Sequence, residues 1–300
     1  MKLDHCVLPT ANLAVTRERL AGLGFTVAPD AAHPFGTANC CVFFEDGTYL
    51  EPLAIADENA ARDAIADNNT FVLRDRRFRE ACGEEGFSAL ALGTVDATSD
   101  HVRFVGEHLS AGPPLSFSRP FTDTDGTRSE ASFRLAFAAL GSCPTFFFTC
   151  ERVNMPAADR SFLRHHENQV QGISRILATT ADLTASEAFL TLLFETEAVG
   201  GVWAFSNGLV SLLGPADAGY AYRIDAGDGE DLRLRGIVFR TVSASAIAER
   251  LGVAQVVHTM HRGLLVVPPA SGQGAYFILE EPERSPADAL LSVPIGVPSF

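Results

Sequence analysis

One pattern constrains this chain more than any other: a short strand, a helix and three further strands, in that order, recur along its length. A first apolar strand, His5-Cys6-Val7-Leu8, closes at Pro9-Thr10. The next segment reads as a helix capped by Asn12, with Leu13, Leu20 and Leu23 apolar and a stop at Gly22 and Gly24. Phe25-Thr26-Val27 starts another strand, and 39–44, the turn Glu45-Asp46-Gly47 and 48–55 form a hairpin. The order returns with strand 87–92, helix 99–110, strand 115–118 and a hairpin over 128–152. A third copy runs through strand 172–177, a helix from 184 to about 197, and strands 202–206 and 209–213 joined at Asn207-Gly208. The fourth comprises strand 232–242, helix 245–251 and strands 256–260, 263–267 and 275–280.

A single βαβββ unit leaves one face of a curved sheet bare, so such units are expected in pairs that bury apolar surface between them. The predicted fold is therefore α+β: four βαβββ modules paired into two domains with cupped mixed sheets, spanning 1–160 and 170–300. Three hundred residues suit two domains of about 150 each. The segment 57–85, rich in Ala, Asp, Glu and Arg, fits neither copy and reads as a helical insert. A connector over 154–171, with Pro156, Asp159-Arg160 and the polar run Arg164-His165-His166-Glu167-Asn168-Gln169, marks the boundary.

Charge narrows the partners. With 23 Lys+Arg against 37 Asp+Glu, the net charge of -14 repels phosphate backbones and anionic lipid, so nucleic-acid and membrane binding are not expected. No apolar run approaches the roughly 20 residues of a membrane span, and the chain opens without a signal-peptide pattern, so a cytoplasmic protein is expected. The six cysteines include no C-x-x-C pair and lie mostly in apolar strands, which predicts buried free thiols.

Leu3-Asp4-His5-Cys6-Val7 together with Asp46-Gly47-Thr48-Tyr49-Leu50-Glu51 resembles the opening module of glyoxalase-like proteins of the vicinal-oxygen-chelate superfamily. Pro144-Thr145-Phe146-Phe147-Phe148-Thr149-Cys150-Glu151 and His166-Glu167-Asn168-Gln169 extend the likeness over most of residues 1–180, and element order carries it beyond. The resemblance implies that each paired domain wraps its cupped sheet around one divalent metal, with ligands from the first and fourth strand of each module. Carried onto this chain, the ligands would be His5, Glu51 and Glu151, while Ser88-Ala89-Leu90-Ala91 offers none.

Imidazole and carboxylate donors suit Zn, Ni, Fe, Mn or Co, and three protein ligands leave positions open for substrate oxygens. A lone histidine in an apolar strand is ordinarily a packed residue. Glu51, between Tyr49-Leu50 and Pro52-Leu53, is costly to bury unpaired and so faces solvent or meets a cation; Glu151, after three phenylalanines, repeats the anomaly. His166 and Glu167 are candidates for a lid or general base, with an exposed polar loop as the alternative. In the C-terminal half only Glu280 stands at a matching position, so that half is expected to be metal-free and to complete the fold, shape the pocket or support a homodimer. His258 and His261 read as structural or surface residues. Asp123-Thr124-Asp125-Gly126 and Asp228-Gly229 lack the remaining carboxylates of a calcium loop and read as hairpin turns.

Three functions follow. The first is a metal-dependent lyase or isomerase acting on a small oxygenated molecule in the N-terminal cup. The second is a small-molecule or antibiotic-binding protein of the bleomycin-resistance type, its groove lined by Phe146 to Phe148, Phe43 and Trp203 or Phe205. The third, an extradiol dioxygenase, fits less well, because the resemblance then implies histidines on first strands of the second pair, where Ser174 and Gly236-Ile237-Val238 stand.

Overall fold

Polar caps set the helix starts. Asn12 accepts from the backbone N–H groups of Ala14 and Val15 and opens α1 (Leu13–Gly22). Asp57 and Asn69 open α2 (Glu58–Ala66) and α3 (Thr70–Cys82). Asp96, Asp182 and Ser243 open α4 (Ala97–Gly106), α5 (Leu183–Phe194) and α7 (Ala244–Val253) in the same way. Among the described helices α6 (Pro215–Tyr222) starts on a proline instead. The computed structural model describes residues 1–122, 128–155, 161–227, 229 and 231–281. Of the expected turns and connector, Asp123 to Gly126, Pro156, Asp159-Arg160 and Asp228 lie outside the described residues.

Module one is β1 (Lys2–Pro9), α1, β2 (Ala31–Ala32), β3 (Thr37–Asn39), β4 (Val42–Phe43) and β5 (Tyr49–Ile55). The expected strand at Phe25-Thr26-Val27 does not form. Phe25 is instead driven into the core against Phe44, Phe239 and Phe277, which takes its backbone off any ladder. Module two is β6 (Ala89–Thr94), α4, β7 (Leu115–Thr122), β8 (Arg128–Ala138) and β9 (Phe146–Asn154). Module three is β10 (Val170–Thr179), α5, β11 (Val202–Phe205) and β12 (Gly208–Leu213), followed by α6. Module four is β13 (Arg233–Thr241), α7, β14 (Thr259–His261), β15 (Leu264–Val267) and β16 (Tyr276–Glu280).

Modules one and two share a nine-stranded sheet of order β2-β3-β5-β1-β6-β9-β8-β7, with β4 added on β5. Modules three and four share a seven-stranded sheet of order β11-β12-β10-β13-β16-β15-β14. Each pair meets through antiparallel first strands, β1 on β6 and β10 on β13, and each first strand lies parallel to the last strand of its own module. The first sheet curls until its two ends touch: Phe117 of β7 contacts His33 and Phe35, beside β2 and β3, with ring centroids 5.8 and 5.2 Å apart. The expectation of paired modules on cupped mixed sheets therefore holds.

The 57–85 insert is helical, as expected, and has a definite place. Ala61, Phe71 and Val72 of α2 and α3 join the apolar cluster inside the first cup. Arg79 of α3 fastens the insert there by donating to the backbone oxygens of Thr10 and Leu53 at 3.2 and 2.8 Å while paired with Asp75. In the second cup α6 takes that place, with Ala218 and Ile224 packed on Leu177, Val238 and Ile278. The other faces of both sheets and helices α1, α4, α5 and α7 merge into one apolar cluster that spans the two halves.

Candidate functional site

The strand alternation of β1 and β5 decides which side chains enter the first cup. In β5, Leu50 turns to the outer cluster, and Tyr49, Glu51 and Leu53 turn inward. In β1 the ladder to β6 slips between Leu3 and His5, so Asp4 is the extra residue of a bulge and shares the inward face with His5. The consequence is a chain of buried polar groups. Arg152 of β9 forks onto Asp4, Nη1 to Oδ2 at 2.6 Å and Nη2 to Oδ1 at 2.7 Å. The His5 Nδ1–H donates to Asp4 Oδ1 at 2.9 Å, and His5 Nε2 stands 3.3 Å from Glu51 Oε2. Asn39 of β3 donates to Glu51 Oε1 at 2.7 Å.

The electrostatics follow from that chain. Burial pushes the Asp4 carboxyl up, but hydrogen bonding and charge from His5 and Arg152 outweigh it and hold the group below the usual range. Burial disfavours the charged His5, yet hydrogen bonds to Asp4 and Glu51 raise its pKa overall. Glu51 is pulled down to about 2 against its burial, chiefly by His5, with His33 and Asn39 adding to the effect.

The sequence reading missed His33. It lies between β2 and β3, with its Nε2 3.6 Å from Glu51 Oε1 and its Nδ1 2.8 Å from Thr37 Oγ1. Burial lowers its pKa to about 4, aided by Arg119 and His5 and opposed by Glu51, so the ring is neutral at pH 7. Its only sequence signal is a histidine beside Pro34-Phe35, a loop with no periodicity to reveal facing.

His5, His33, Glu51 and Cys150 line a half-open cavity of about 40 Å³, walled by Phe35, Phe71, Phe117, Phe133 and Phe148 and reached by Arg119. His5 stacks on Tyr49 at 4.4 Å between centroids and meets the edge of Phe148. The cavity is thus apolar, with its polar groups gathered in one region.

Of the residues singled out in the sequence, His5 and Glu51 are brought together and Glu151 is not. Pairing β6 with β9 sets Ala91 beside Phe148 and Gly93 beside Cys150, as β1 with β5 sets His5 beside Tyr49 and Val7 beside Glu51. Cys150 therefore occupies the place corresponding to Glu51, and Glu151 is one residue out of phase, which turns it to the other face. There it accepts from the backbone N–H of Ala97 at the start of α4, at 3.1 Å, and from Arg134 at 3.2 Å.

His166 and Glu167 also stand away from the cavity. The His166 Nδ1 accepts from the backbone N–H of Thr26 and its Nε2–H donates to the Phe43 carbonyl, both at 3.0 Å, while its ring packs on Phe25 and Phe44. Glu167 is exposed and pairs with Arg250 at 2.8 Å. His258 and His261 each contact a backbone carbonyl, of Val256 and Tyr220, at 2.8 Å. The expected aromatic groove is corrected likewise. Phe148 lines the cavity, but Phe147 packs on Phe189 and Trp203 on Phe194 in the outer cluster.

The second cup is built on the same register with different chemistry. Arg175 pairs with Leu209, and Leu177 with Ser211, so Arg175 and Ser211 stand where His5 and Glu51 stand in the first. Arg175 is buried and donates to Ser211 Oγ at 2.6 Å. Val238 faces Arg175 across the pair, and Glu280 lies beside Arg240.

The donor chemistry of the first cup can be tested against a metal. Asp4 takes the Nδ1–H of His5, so Nε2, which faces Glu51, is the nitrogen that would donate to an ion once the ion displaces its proton, the arrangement that carboxylate-supported histidine ligands adopt. The 3.3 Å from that nitrogen to Glu51 approximates the separation of about 3.4 Å between two donors on one tetrahedral ion with bonds near 2.1 Å. Among the described residues no group of three His, Cys, Asp or Glu side chains is arranged to hold an ion, so the fit rests on the pair, with His33 next to it.

Modules paired through their first strands on cupped mixed sheets, with an imidazole and a carboxylate on the first and last strand of one module, define a class that the comparisons specify. A family profile described as a glyoxalase-like domain matches residues 3–194, and the chain belongs to that family, within the vicinal-oxygen-chelate superfamily. Among curated proteins none matches it. A hypothetical protein from Staphylococcus aureus is similar in structure at TM-score 0.61 and 11% identity, over 93% of this chain and 99% of that one. A mutant of 4-hydroxymandelate synthase from Streptomyces coelicolor aligns at 0.59 and 14% identity, over 93% and 92%. The Mn(II)-bound glyoxalase from Novosphingobium aromaticivorans aligns at 0.50 and 9% identity, over 93% and 81%. At these identities the likeness is one of fold.

Proposed function

We propose that this chain is a metal-dependent enzyme of the lyase or isomerase type, acting on a small oxygenated molecule in the first cup. The observation that carries the reading is the relay Arg152–Asp4–His5–Glu51, which ends in an imidazole nitrogen and a carboxylate facing each other in an aromatic cavity. His5 and Glu51 would hold a divalent ion, and His33 is the nearest further donor. Such an ion supplies Lewis-acid stabilisation of charge developing on a substrate oxygen. Asp4 fixes the His5 tautomer, and Arg152 keeps Asp4 ionised. Asn39 holds one Glu51 oxygen and so orients the other. His33, with its protonation suppressed, is suited to accept a hydrogen bond from a substrate hydroxyl. The phenylalanine walls exclude water from these groups and strengthen each electrostatic contact.

The test is metal titration of chelator-treated protein. The wild type is expected to take up one equivalent of Mn, Zn, Ni, Fe or Co, and Glu51→Gln to bind at least about a hundredfold more weakly. Folded wild-type protein that binds none of these ions would overturn the reading. The second reading, a metal-free binder of organic molecules, is favoured by the apolar walls and by the lack of a third ligand in place among the described residues. It predicts thermal stabilisation by organic ligands and indifference to the ions. A dioxygenase centre in the second cup is not supported, since Arg175 and Val238 take the positions where histidines would be needed.

A further inference from the structure

The cavity contains a charged group that the proposed chemistry does not use. Arg119, on β7 at the seam where the first sheet closes on itself, lines the cavity, and its guanidinium carbon lies 5.8 Å from the centre of the Phe133 ring. One terminal nitrogen, Nη1, is buried and has no hydrogen-bond partner. No ion pair among the described residues includes Arg119, whereas Arg152 of the same sheet is paired with Asp4. A buried guanidinium N–H left without an acceptor is destabilising, and folds keep such groups where something else supplies the acceptor. The five N–H groups of arginine present a planar fork that matches a carboxylate. Phe117 and Phe133, stacked with centroids 5.2 Å apart, and Phe35 and Phe71 wall the space beside it with flat apolar surface.

We propose that the molecule this cavity takes is an aryl or arylalkyl carboxylate, its anionic group bound by the Arg119 guanidinium and its ring held among the phenylalanine walls, leaving its oxygenated end for His5 and Glu51. The charge placement agrees. Glu51 repels an anion, and Arg119 supplies a compensating positive charge on the same cavity lining. The inference rests on reading the first cup as the ligand site.

The experiment is calorimetric titration of chelator-treated full-length protein with benzoate and phenylacetate, against benzamide and phenylacetamide, which share their shape without the charge. The wild type is expected to prefer the acids by about ten- to one-hundredfold. Arg119→Met should abolish that preference, and Arg119→Lys should restore part of it, with unfolding temperature and near-UV circular dichroism confirming that each variant folds. Equal binding of acids and amides, a preference that survives in Arg119→Met, or no binding of any probe would each overturn the inference. Repeating the Mn(II) titration on Arg119→Met separates the two claims. Intact metal binding with no acid preference in the wild type defeats the substrate class alone, whereas acid preference without metal binding defeats the metal reading alone.

Discussion

At the scale of single residues, the cavity depends on how buried charges are shared. Asp4, His5, Glu51 and Arg152 neutralise one another, so removing one member leaves its neighbours charged and buried. His33 is different, because it is buried neutral. Its folded pKa of about 4 lies below the unfolded value of 6.5, so between those pH values the unfolded chain binds a proton that the folded chain does not. Stability therefore falls as pH drops through that window. His5 has the opposite sign: its raised pKa contributes stability that is full below 6.5 and is lost as pH rises through the folded value. Comparing wild type with His33→Gln isolates the former effect. In metal-free protein, the stability lost between pH 7 and pH 5 should be about 2 kcal/mol smaller in the variant, measured by urea unfolding at each pH. Equal losses would show that His33 titrates normally. His5 and Glu51 were legible because a histidine and a carboxylate interrupt apolar strands, whereas His33 and Arg119 sit among residues whose facing only the closed sheet defines.

Elements act through register. Phe146-Phe147-Phe148 is a continuous apolar run, so nothing in the string of residues tells which phase of β9 faces the cup, and Cys150 rather than Glu151 proves to share the face of Phe148. The carboxylate instead caps α4 and pairs with Arg134. Glu151→Gln is accordingly expected to lower stability by roughly 1 kcal/mol and to leave metal affinity within about twofold of wild type, read by thermal denaturation and metal titration. A large loss of metal binding in that variant would place Glu151 at the centre after all. The bulge at Asp4 is the converse case, since one extra residue puts two consecutive side chains on the inward face and gives His5 its supporting carboxylate. At the turn before β5, Gly47 has φ of 85°, which favours glycine, and Asp46 accepts from the Thr48 N–H, so the hairpin that delivers Glu51 was visible from Asp46-Gly47.

For the molecule as a whole, the junction between the halves is a packed interior. Phe25 and Phe44 of the first half meet Phe239 of the second, and Phe25 also meets Phe277. Asp46 pairs with Arg240 across the junction at 2.7 Å, and Asn207 of the second half brackets Leu3, accepting from its N–H and donating to its carbonyl. Phe25→Ala should cost about 3–5 kcal/mol in urea unfolding, as for a buried phenylalanine whose cavity cannot collapse. A cost below about 1 kcal/mol would mean that the junction is loosely packed. No helix of the described residues is long and apolar enough to cross a membrane.

The residue string alone determined the four-module order, the Asn12 cap of the first helix, the helical nature of the insert and the strands that carry His5 and Glu51. These are properties of local periodicity and turn chemistry, which act over a few residues. Tertiary structure decided that Phe25 enters the core instead of a strand, that the insert stoppers the first cup, that β9 presents Cys150 inward, and that His33 and Arg119 reach one cavity. Each of these depends on register between distant strands and on the curl that brings β7 against the loop of β2 and β3, and both are settled by burial summed over the whole sheet.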